Sequence, residues 1–250
     1  MGGAKYVCKE TLNTLLNLIL PAVCYNCNRR ITHQKECLCP YCFSYLERKK
    51  GFLKGEDELG KRYFFKAASM YDYGHISRQL LHVYKYESIK EIGRYFGNQA
   101  ISVLKADYPE FINVDGILSV PMHKKRFQDR NYDHVHLIVK IISKALLLND
   151  FSYNITKIVN SPKQSLLDFG DRIKNPENSF KIKDRQVFKD KTLLLIDDIF
   201  TTGATVNALC KELTESGVKK VYVFCIAAGS MGRKYKIKKS VKISEKITEK

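Results

Sequence analysis

The sequence predicts an α/β protein in which a small four-cysteine module precedes a doubly wound, mostly parallel sheet. Three observations lead to this class. Short apolar runs alternate with amphipathic helical stretches along most of the chain, a pattern that requires helical crossovers between parallel strands. Residues 193–196 are four consecutive apolar side chains, as expected for the buried centre of a parallel sheet. Five of the eight cysteines lie between Cys24 and Cys42, which indicates a separate small unit.

The individual elements follow from hydrophobic periodicity taken in chain order. A helix is predicted over residues 12–20 and ends at Pro21, directly before the cysteines. The predicted divisions are the cysteine module at 1–46, a charged, glycine-containing linker at 47–62, the sheet domain at 63–232 and a basic tail at 233–250. Strands are predicted at 63–71, 115–120, 153–159, 191–196 and 221–227. Helices are predicted at 76–86, 88–105 and 132–148, and a last helix from 206 closes at Gly217.

The net charge indicates the kind of partner, and the hydropathy of the chain bears on whether it spans a membrane. The chain has 43 basic and 26 acidic residues, a formal net charge of +17, which points to a polyanionic partner or substrate. No stretch approaches the about 18–20 apolar residues that a membrane span needs. The apolar run at 12–23 is interrupted by asparagine and lacks a signal-type cleavage site. We therefore expect a cytoplasmic protein whose cysteines are reduced.

The cysteines between residues 24 and 42 form two C-x-x-C knuckles with eleven residues between them. Four thiolates at this spacing complete a closed, tetrahedral Zn²⁺ site, which organises a small module and performs no chemistry. Cys37 is a fifth thiol that competes with Cys39, and His33 is a weaker substitute ligand; cysteines without metal are the other interpretation. The predicted zinc ligands are Cys24, Cys27, Cys39 and Cys42. Cys8 is interpreted as a free thiol, and Cys210 and Cys225 as core residues.

A phosphate-binding loop is predicted where the most apolar strand ends. The strand leads into Asp197 and Asp198, and a glycine-containing turn then opens a helix. Such a turn presents backbone N–H groups and the positive end of a helix dipole to a phosphate. The two carboxylates suit ribose hydroxyls or a Mg²⁺ ion shared with the ligand. The residues of the turn are Thr201, Thr202, Gly203, Ala204 and Thr205.

Other nucleotide loops fit this segment less well. An NTPase P-loop needs G-x-x-x-x-G-K-[ST], and a dinucleotide loop needs G-x-G-x-x-G; neither pattern is present at 197–205. A capped helix start would explain the threonines, but it would leave two carboxylates at the end of an apolar strand without a role.

Residues 197–205, Asp-Asp-Ile-Phe-Thr-Thr-Gly-Ala-Thr, resemble the phosphoribosyl pyrophosphate (PRPP) motif of type I phosphoribosyltransferases. Together with the four-cysteine module, the chain up to Gly232 is similar to the ComF (competence protein F) family, which joins a zinc ribbon to a type I phosphoribosyltransferase-like domain. The segments that carry this resemblance are 18–27, 38–42, 81–86, 118–126 and 197–205, with Gln164, Arg172 and Asn175 at the family's Gln, Arg and Asn positions.

The resemblance implies roles for these residues. Asp197 and Asp198 would hold the ribose hydroxyls and Mg²⁺, and residues 201–205 would hold the 5′-phosphate. Residues 161–175 would form the mobile loop that covers the site, with Gln164, Arg172 and Asn175 as its candidates. The pyrophosphate would lie on the turn formed by Val120, Pro121 and Met122. The basic candidates for the pyrophosphate are Lys85, Lys124, Lys125, Arg126 and Arg130.

The chain departs from the family pattern in two segments. Where the family commonly has Gly-Phe-Asn-Gln, this sequence has Asn131-Tyr-Asp-His134. The basic residues that usually precede the loop glutamine are reduced to Lys157 and Lys163.

Two functions follow as expectations. The first is Mg²⁺-dependent transfer of a phosphoribosyl group between PRPP and a nitrogenous base with release of pyrophosphate, which needs no side-chain nucleophile. The alternative is a non-catalytic phosphoribosyltransferase-fold protein that binds single-stranded DNA during natural transformation, consistent with the net charge and the many tyrosines. The resemblance also implies protein partners in DNA uptake. The sequence does not identify the acceptor.

Overall fold

Eight strands and six α-helices make up the part of the chain that the structure, a computed structural model, describes: residues 22–32, 36–57, 60–87, 89–159 and 179–229. The strands are β1 (Leu53–Asp57), β2 (Gly60–Asp72), β3 (Gly116–Ser119), β4 (Asn149–Asp150), β5 (Ile155–Lys157), β6 (Phe180–Ile182), β7 (Thr192–Phe200) and β8 (Lys220–Ala228). The helices are α1 (Pro40–Ser44), α2 (His75–Tyr86), α3 (Lys90–Asp107), α4 (Lys124–Arg130), α5 (His134–Leu146) and α6 (Ala204–Glu215). Short 3₁₀ helices cover Pro109–Phe111, Ser152–Asn154 and Gln186–Phe188.

The main sheet has the strand order β1-β2-β8-β7-β3-β4. Strands β1 and β2 are antiparallel, and the other neighbouring pairs are parallel. From β3 the chain proceeds outward to β4, whereas from β7 it proceeds in the opposite direction to β8. The boundary between β3 and β7 is therefore a topological switch point, and ligands of open α/β sheets bind beyond the carboxyl ends of the strands at such a point.

Both faces of the sheet are buried, because alternate side chains of its central strands enter two different cores. Leu194 and Ile196 of β7 belong to a core that includes residues of α2, α3 and α5. Leu193 and Leu195 belong to a second core with residues of α6 and the segment around Phe188. This two-sided burial confirms the α/β class with a mostly parallel sheet that the apolar run predicts.

The cysteine module packs on the first of these cores. Cys24, Leu38 and Leu46 lie in the same apolar cluster as Met70 and Tyr71 at the end of β2. The backbone also joins the two parts, since Lys49 N donates to the carbonyl of Met70 at 3.1 Å. The module is therefore continuous with the core of the sheet domain.

Several predicted elements have different bounds or partners in the structure. The segment predicted as a linker, 47–62, contains β1 and the start of β2, because these two strands pair as an antiparallel hairpin with Asp57 opposite Gly60. The strand predicted at 153–159 is shorter and forms a separate two-stranded sheet with β6. Strand β7 continues four residues beyond its predicted end, because β8 pairs with it as far as Phe200. Helix α4 and the edge strand β4 have no counterpart among the predicted elements.

The predicted helix at 12–20, the covering loop at 161–175 and the basic tail at 233–250 lie outside the described residues. Among the helices that are described, none is both long enough and apolar enough to cross a membrane.

Candidate functional site

The acidic pair lies in the last part of β7, at the switch point. The ladder between β3 and β7 ends with Ser119 opposite Ile196, and Val120 N then donates to the Ile196 carbonyl at 2.9 Å. Beyond this point β7 pairs only with β8 among the described strands. Strand alternation places Asp198 on the face of α2 and α5 and Asp197 on the opposite face. The two are linked, since Asp198 N donates to Asp197 Oδ1 at 2.8 Å.

Two nitrogen atoms hold the carboxylate of Asp198. Lys85 Nζ, from the last turn of α2, and His134 Nε2, from the start of α5, each lie 2.6 Å from Asp198 Oδ2. Burial alone would raise the pKa of Asp198. The neighbouring Lys85 ammonium and the hydrogen bond from His134 outweigh burial and hold this pKa well below its ordinary value. Asp198 is therefore ionised.

Asp197 has the opposite electrostatic environment. Burial and the negative charge of Asp198 raise the pKa of Asp197 to about 7, against the smaller effects of the Asp198 N–H, Lys85 and Lys157. Adjacent carboxylates that share a partly buried site resist double ionisation. A further cation at this carboxylate would relieve the repulsion, which is the electrostatic condition for a bound metal ion.

His134 is a buried imidazole with cations on two sides. Burial lowers its pKa, and its side chain is only 5% exposed. Arg130 Nη1 lies 3.1 Å from Nδ1 and 3.4 Å from Nε2, so the guanidinium lies against the ring and is not directed at one nitrogen. The charges of Lys85 and Arg130 lower the pKa of His134 further, whereas Asp198 raises it. The His134 ring thus lies between Arg130 and the acidic pair.

The predicted phosphate turn lies between β7 and α6. Thr201 and Thr202 are exposed, and Gly203 has a left-handed backbone with φ +75° directly before α6. A Cβ at Gly203 would lie 2.5 Å from the Phe200 ring, so a side chain does not fit there. Ala204 and Thr205 form the first turn of α6, where Ala204 N donates to Thr202 Oγ1 at 3.3 Å. The N–H groups and the positive dipole end of this turn suit a phosphate.

The predicted pyrophosphate turn follows β3, on the other side of the switch point. Val120 and Pro121 are buried and Met122 is partly buried, and helix α4 begins two residues later. Of the basic candidates on α4, Lys124 and Lys125 are exposed, whereas Arg126 and Arg130 are partly buried.

Lys157 of β5 completes the basic lining. Burial lowers the pKa of its ammonium, the charge of Arg126 lowers it further, and Asp197 and Asp198 oppose these effects. Lys157 is therefore within electrostatic range of both Arg126 on α4 and the acidic pair. The described site therefore contains two carboxylates and a larger number of cations, which suits a ligand with several negative charges. Its cations are Lys85, Arg126, Arg130 and Lys157.

The sequence predicted most of the residues that the fold brings together here but assigned no roles to His134 and Lys157. His134 was noted only as a departure from the family pattern, and Lys157 only as a remnant of a basic run. Neither lies in a motif, and only the fold brings α5 and β5 to the acidic pair. Gln164, Arg172 and Asn175 lie outside the described residues.

The cysteine cluster has the geometry that a zinc ion requires. The sulfur atoms of its four members lie within 4.8 Å of one another, and Cys27 Sγ is 3.7 Å from Cys39 Sγ. A tetrahedron with Zn–S bonds of about 2.3 Å has edges of about 3.8 Å, so the cluster could hold zinc. Cys37 is not part of this group, which favours Cys39 as the ligand, and His33 lies outside the described residues. The group is Cys24, Cys27, Cys39 and Cys42.

Backbone donors prepare one of these thiols for a metal. Burial opposes ionisation of Cys24, but the N–H groups of Cys39, Asn26 and Cys27 lower its pKa to about 7. By contrast, burial, Glu91 and Cys24 raise the pKa of Cys37 to about 12. Burial also raises the pKa of Cys42, a member of the group, to about 12. The grouping of the sulfur atoms, and not the direction of the pKa shift, therefore distinguishes Cys37 from the candidate ligands.

A mostly parallel α/β sheet with this acidic pair and glycine turn at its switch point defines a domain of the phosphoribosyltransferase type. The chain belongs to the phosphoribosyl transferase domain family, whose model matches residues 89–250.

Similar proteins indicate a narrower group within this family. The chain is similar to competence protein F of Haemophilus influenzae (27% identity over 114 residues, 45% of this chain and 50% of that protein). It is also similar to competence protein ComFC of Bacillus subtilis (24% identity, 78% of this chain and 79% of that protein), and to the DNA utilization protein YhgH of Shigella flexneri (24% identity, 82% and 89%). The match to the Haemophilus protein thus spans only half of that relative. These relatives and the cysteine cluster confirm the predicted resemblance to the ComF family.

Proposed function

We propose that this protein binds PRPP with Mg²⁺ and transfers its phosphoribosyl group to a nitrogenous acceptor with release of pyrophosphate. The observation that carries the proposal is the convergence, at one switch point, of an acidic pair, a glycine turn opening α6, and cations from α2, α4 and β5. PRPP needs hydroxyl acceptors, a phosphate cradle and cations for its diphosphate in one place. The described site offers all three.

In this proposal, each part of the site binds one chemical group of PRPP. The 5′-phosphate lies on residues 201–205 at the start of α6, and Asp197 and Asp198 accept hydrogen bonds from the ribose hydroxyls. The diphosphate lies on the turn after β3, with Arg126 and Arg130 as its donors. The acceptor nitrogen attacks C1 of the ribose as the bond to the diphosphate breaks, so catalysis consists of positioning and charge stabilisation. Residues 161–175, with Gln164, Arg172 and Asn175, remain the proposed cover of the site.

The residues present fit a Mg²⁺ ion. Carboxylate oxygens are its preferred protein ligands, and the raised pKa of Asp197 reflects negative charge that an ion would offset. When bound, Mg²⁺ would neutralise charge on the leaving diphosphate. Zn²⁺, in contrast, is proposed to have a structural role in the cysteine module, because four thiolates leave no open position.

Calorimetric titration of PRPP, with and without Mg²⁺, tests the binding proposal. We expect binding that requires the acidic pair, so the double substitution Asp197→Asn, Asp198→Asn should weaken it by at least about tenfold. Glu215→Gln, an exposed change at the far end of α6, is the matched control and should bind like the wild type. Absence of PRPP binding, or equal binding by the double variant, would rule the site out. Pyrophosphate release against a panel of bases then tests turnover.

A second candidate function is binding of single-stranded DNA. Two of the relatives are named for competence and one for DNA utilization, and the chain has a net charge of +17. The cysteine module also exposes three rings on α1 and at its end: Tyr41 (57% exposed), Phe43 and Tyr45 (62%). The Tyr41 and Tyr45 rings lie 4.9 Å apart. Arg29 lies over the Tyr41 ring at 5.2 Å. Exposed rings beside cations are the usual platform for stacking bases.

Fluorescence anisotropy of a labelled oligothymidine in a salt series tests this candidate. We expect log K to fall with log salt by about 0.7 for each phosphate contacted. The double substitution Tyr41→Ala, Tyr45→Ala should weaken binding by about thirtyfold or more, at about 1 kcal/mol or more for each of the two lost stacking contacts. Tyr153→Ala, which removes a similarly exposed ring near β4 (61%), should not. A flat salt dependence would exclude electrostatic DNA binding.

A further inference from the structure

Lys85 forms an unusually protected ion pair with the acidic pair. The side chains of Lys85 and Asp198 are 16% and 14% exposed. In the pairs Lys49–Asp72 and Lys66–Glu110, the carboxylate is 40% and 38% exposed. A lysine this close to a largely buried carboxylate contributes charge that solvent screens only weakly.

The backbone that carries Lys85 is fixed from two directions. Tyr84 Oη donates to the carbonyl of His134 at 2.5 Å, and Tyr132 Oη donates to the carbonyl of Tyr84. Both tyrosines are buried. The last turn of α2 is therefore attached to the start of α5, so the position of the ammonium relative to Asp198 is set by the fold.

The two nitrogens on Asp198 have different electrical roles. Lys85 places an ammonium 2.6 Å from Asp198 Oδ2, whereas His134 offers a ring nitrogen at the same distance. Lys85 is therefore the lysine in direct contact with this carboxylate. Without it, Arg126, Arg130 and Lys157 would remain in the site, but Asp198 would lose its contacting charge. The acidic pair would then repel a multiply anionic ligand more strongly unless an added cation supplied that charge.

We infer that Lys85 is a positioning residue and the resident counter-ion of Asp198, and that it sets how strongly ligand binding depends on Mg²⁺. This inference rests on the proposed function. While Lys85 is present, the acidic pair is partly neutralised before any metal arrives. When Lys85 is replaced by a neutral side chain, Mg²⁺ must supply that charge as well as the charge that the diphosphate needs.

The test is PRPP affinity measured by calorimetry over a series of Mg²⁺ concentrations. Lys85→Met should lose affinity by about tenfold or more at low Mg²⁺, and it should recover part of the loss as Mg²⁺ rises. Lys85→Arg keeps the charge and should follow the wild type closely. Lys140→Met, an exposed change on α5, is the control and should be indistinguishable from the wild type.

A double-variant cycle with Asp198→Asn completes the test. Because Lys85 acts through Asp198, Lys85→Met should cost little further affinity once Asp198 is an amide. This arm lacks both charges, so it remains informative if Lys85→Met alone folds poorly, and thermal unfolding of each variant monitors that. Two outcomes would overturn the inference. One is that Lys85→Met weakens PRPP binding by the same factor in the Asp198→Asn background as in the wild type. The other is that the affinity lost by Lys85→Met is the same at every Mg²⁺ concentration. Failure of the wild type to bind PRPP at any Mg²⁺ concentration would instead reject the proposed function.

Discussion

Gly203 is the residue at which β7 turns into α6, and two independent features restrict this position to glycine. Its φ of +75° lies in the left-handed region, which costs other residues roughly 1–2 kcal/mol. Its missing Cβ would lie 2.5 Å from the Phe200 ring, which is itself buried in the core. The direction of the first turn of α6 therefore depends on the absence of one methyl group.

Substitution of Gly203 by alanine should consequently impair the phosphate turn. We expect PRPP affinity to fall by at least about tenfold, equivalent to about 1.4 kcal/mol, because the turn must shift to relieve both strain and overlap. Gly229→Ala is the matched control, since no atom lies within 4 Å of a Cβ at that glycine. Calorimetry of PRPP binding by both variants tests this prediction. Equal PRPP affinities of the two variants would show that the turn does not contact the ligand.

At the level of elements, local patterns predicted what local interactions determine. The four apolar residues of β7, the turn and the helix that follows are contiguous in sequence, so their order and chemistry could be read directly. The end of β7 could not, because backbone partners on β8 extend it through the acidic pair to Phe200. Strand β5 was misplaced for the same reason, because its partner β6 is remote and Lys157 pairs with Phe180. Strand β1 was missed although its partner β2 follows directly, because its own apolar signal is short.

The site residues divide in the same way, into those that belong to one sequence motif and those that meet only through tertiary packing. Asp197, Asp198 and the turn belong to one motif and were predicted together. Lys85 was predicted only as a pyrophosphate candidate, and its ion pair with Asp198 depends on the packing of α2 against α5. His134 reaches Asp198 across 64 positions of sequence, and no pattern in a single sequence encodes that contact.

For the whole molecule, the main consequence concerns the cysteine module. Its cysteines and Leu38 share a core with Met70 and Tyr71 of the sheet domain. A metal that organises the module therefore also supports the surface on which the end of β2 packs. Stability of the two parts should be coupled.

Removal of zinc should accordingly destabilise the entire protein in one transition. We expect calorimetry of the chelated protein or of Cys39→Ser to show a single unfolding peak lowered by roughly 10 °C or more, since about 1 kcal/mol corresponds to 2–4 °C at this size. Cys37→Ala should retain one zinc per chain by atomic absorption. Two separate peaks would contradict the shared core, and loss of zinc from Cys37→Ala would contradict the assignment of ligands.

The position of β8 also has a consequence for how the chain acquires its structure. This strand is the last in sequence among those described, yet it lies between β2 and β7 in the middle of the sheet. Its pairing with β2 joins residues as far apart as Lys66 and Tyr222, and such distant contacts slow folding. During synthesis, β2 and β7 each have an unpaired edge until residue 228 has left the ribosome. Until then the sheet is two separate halves, and the switch point lies entirely in one of them.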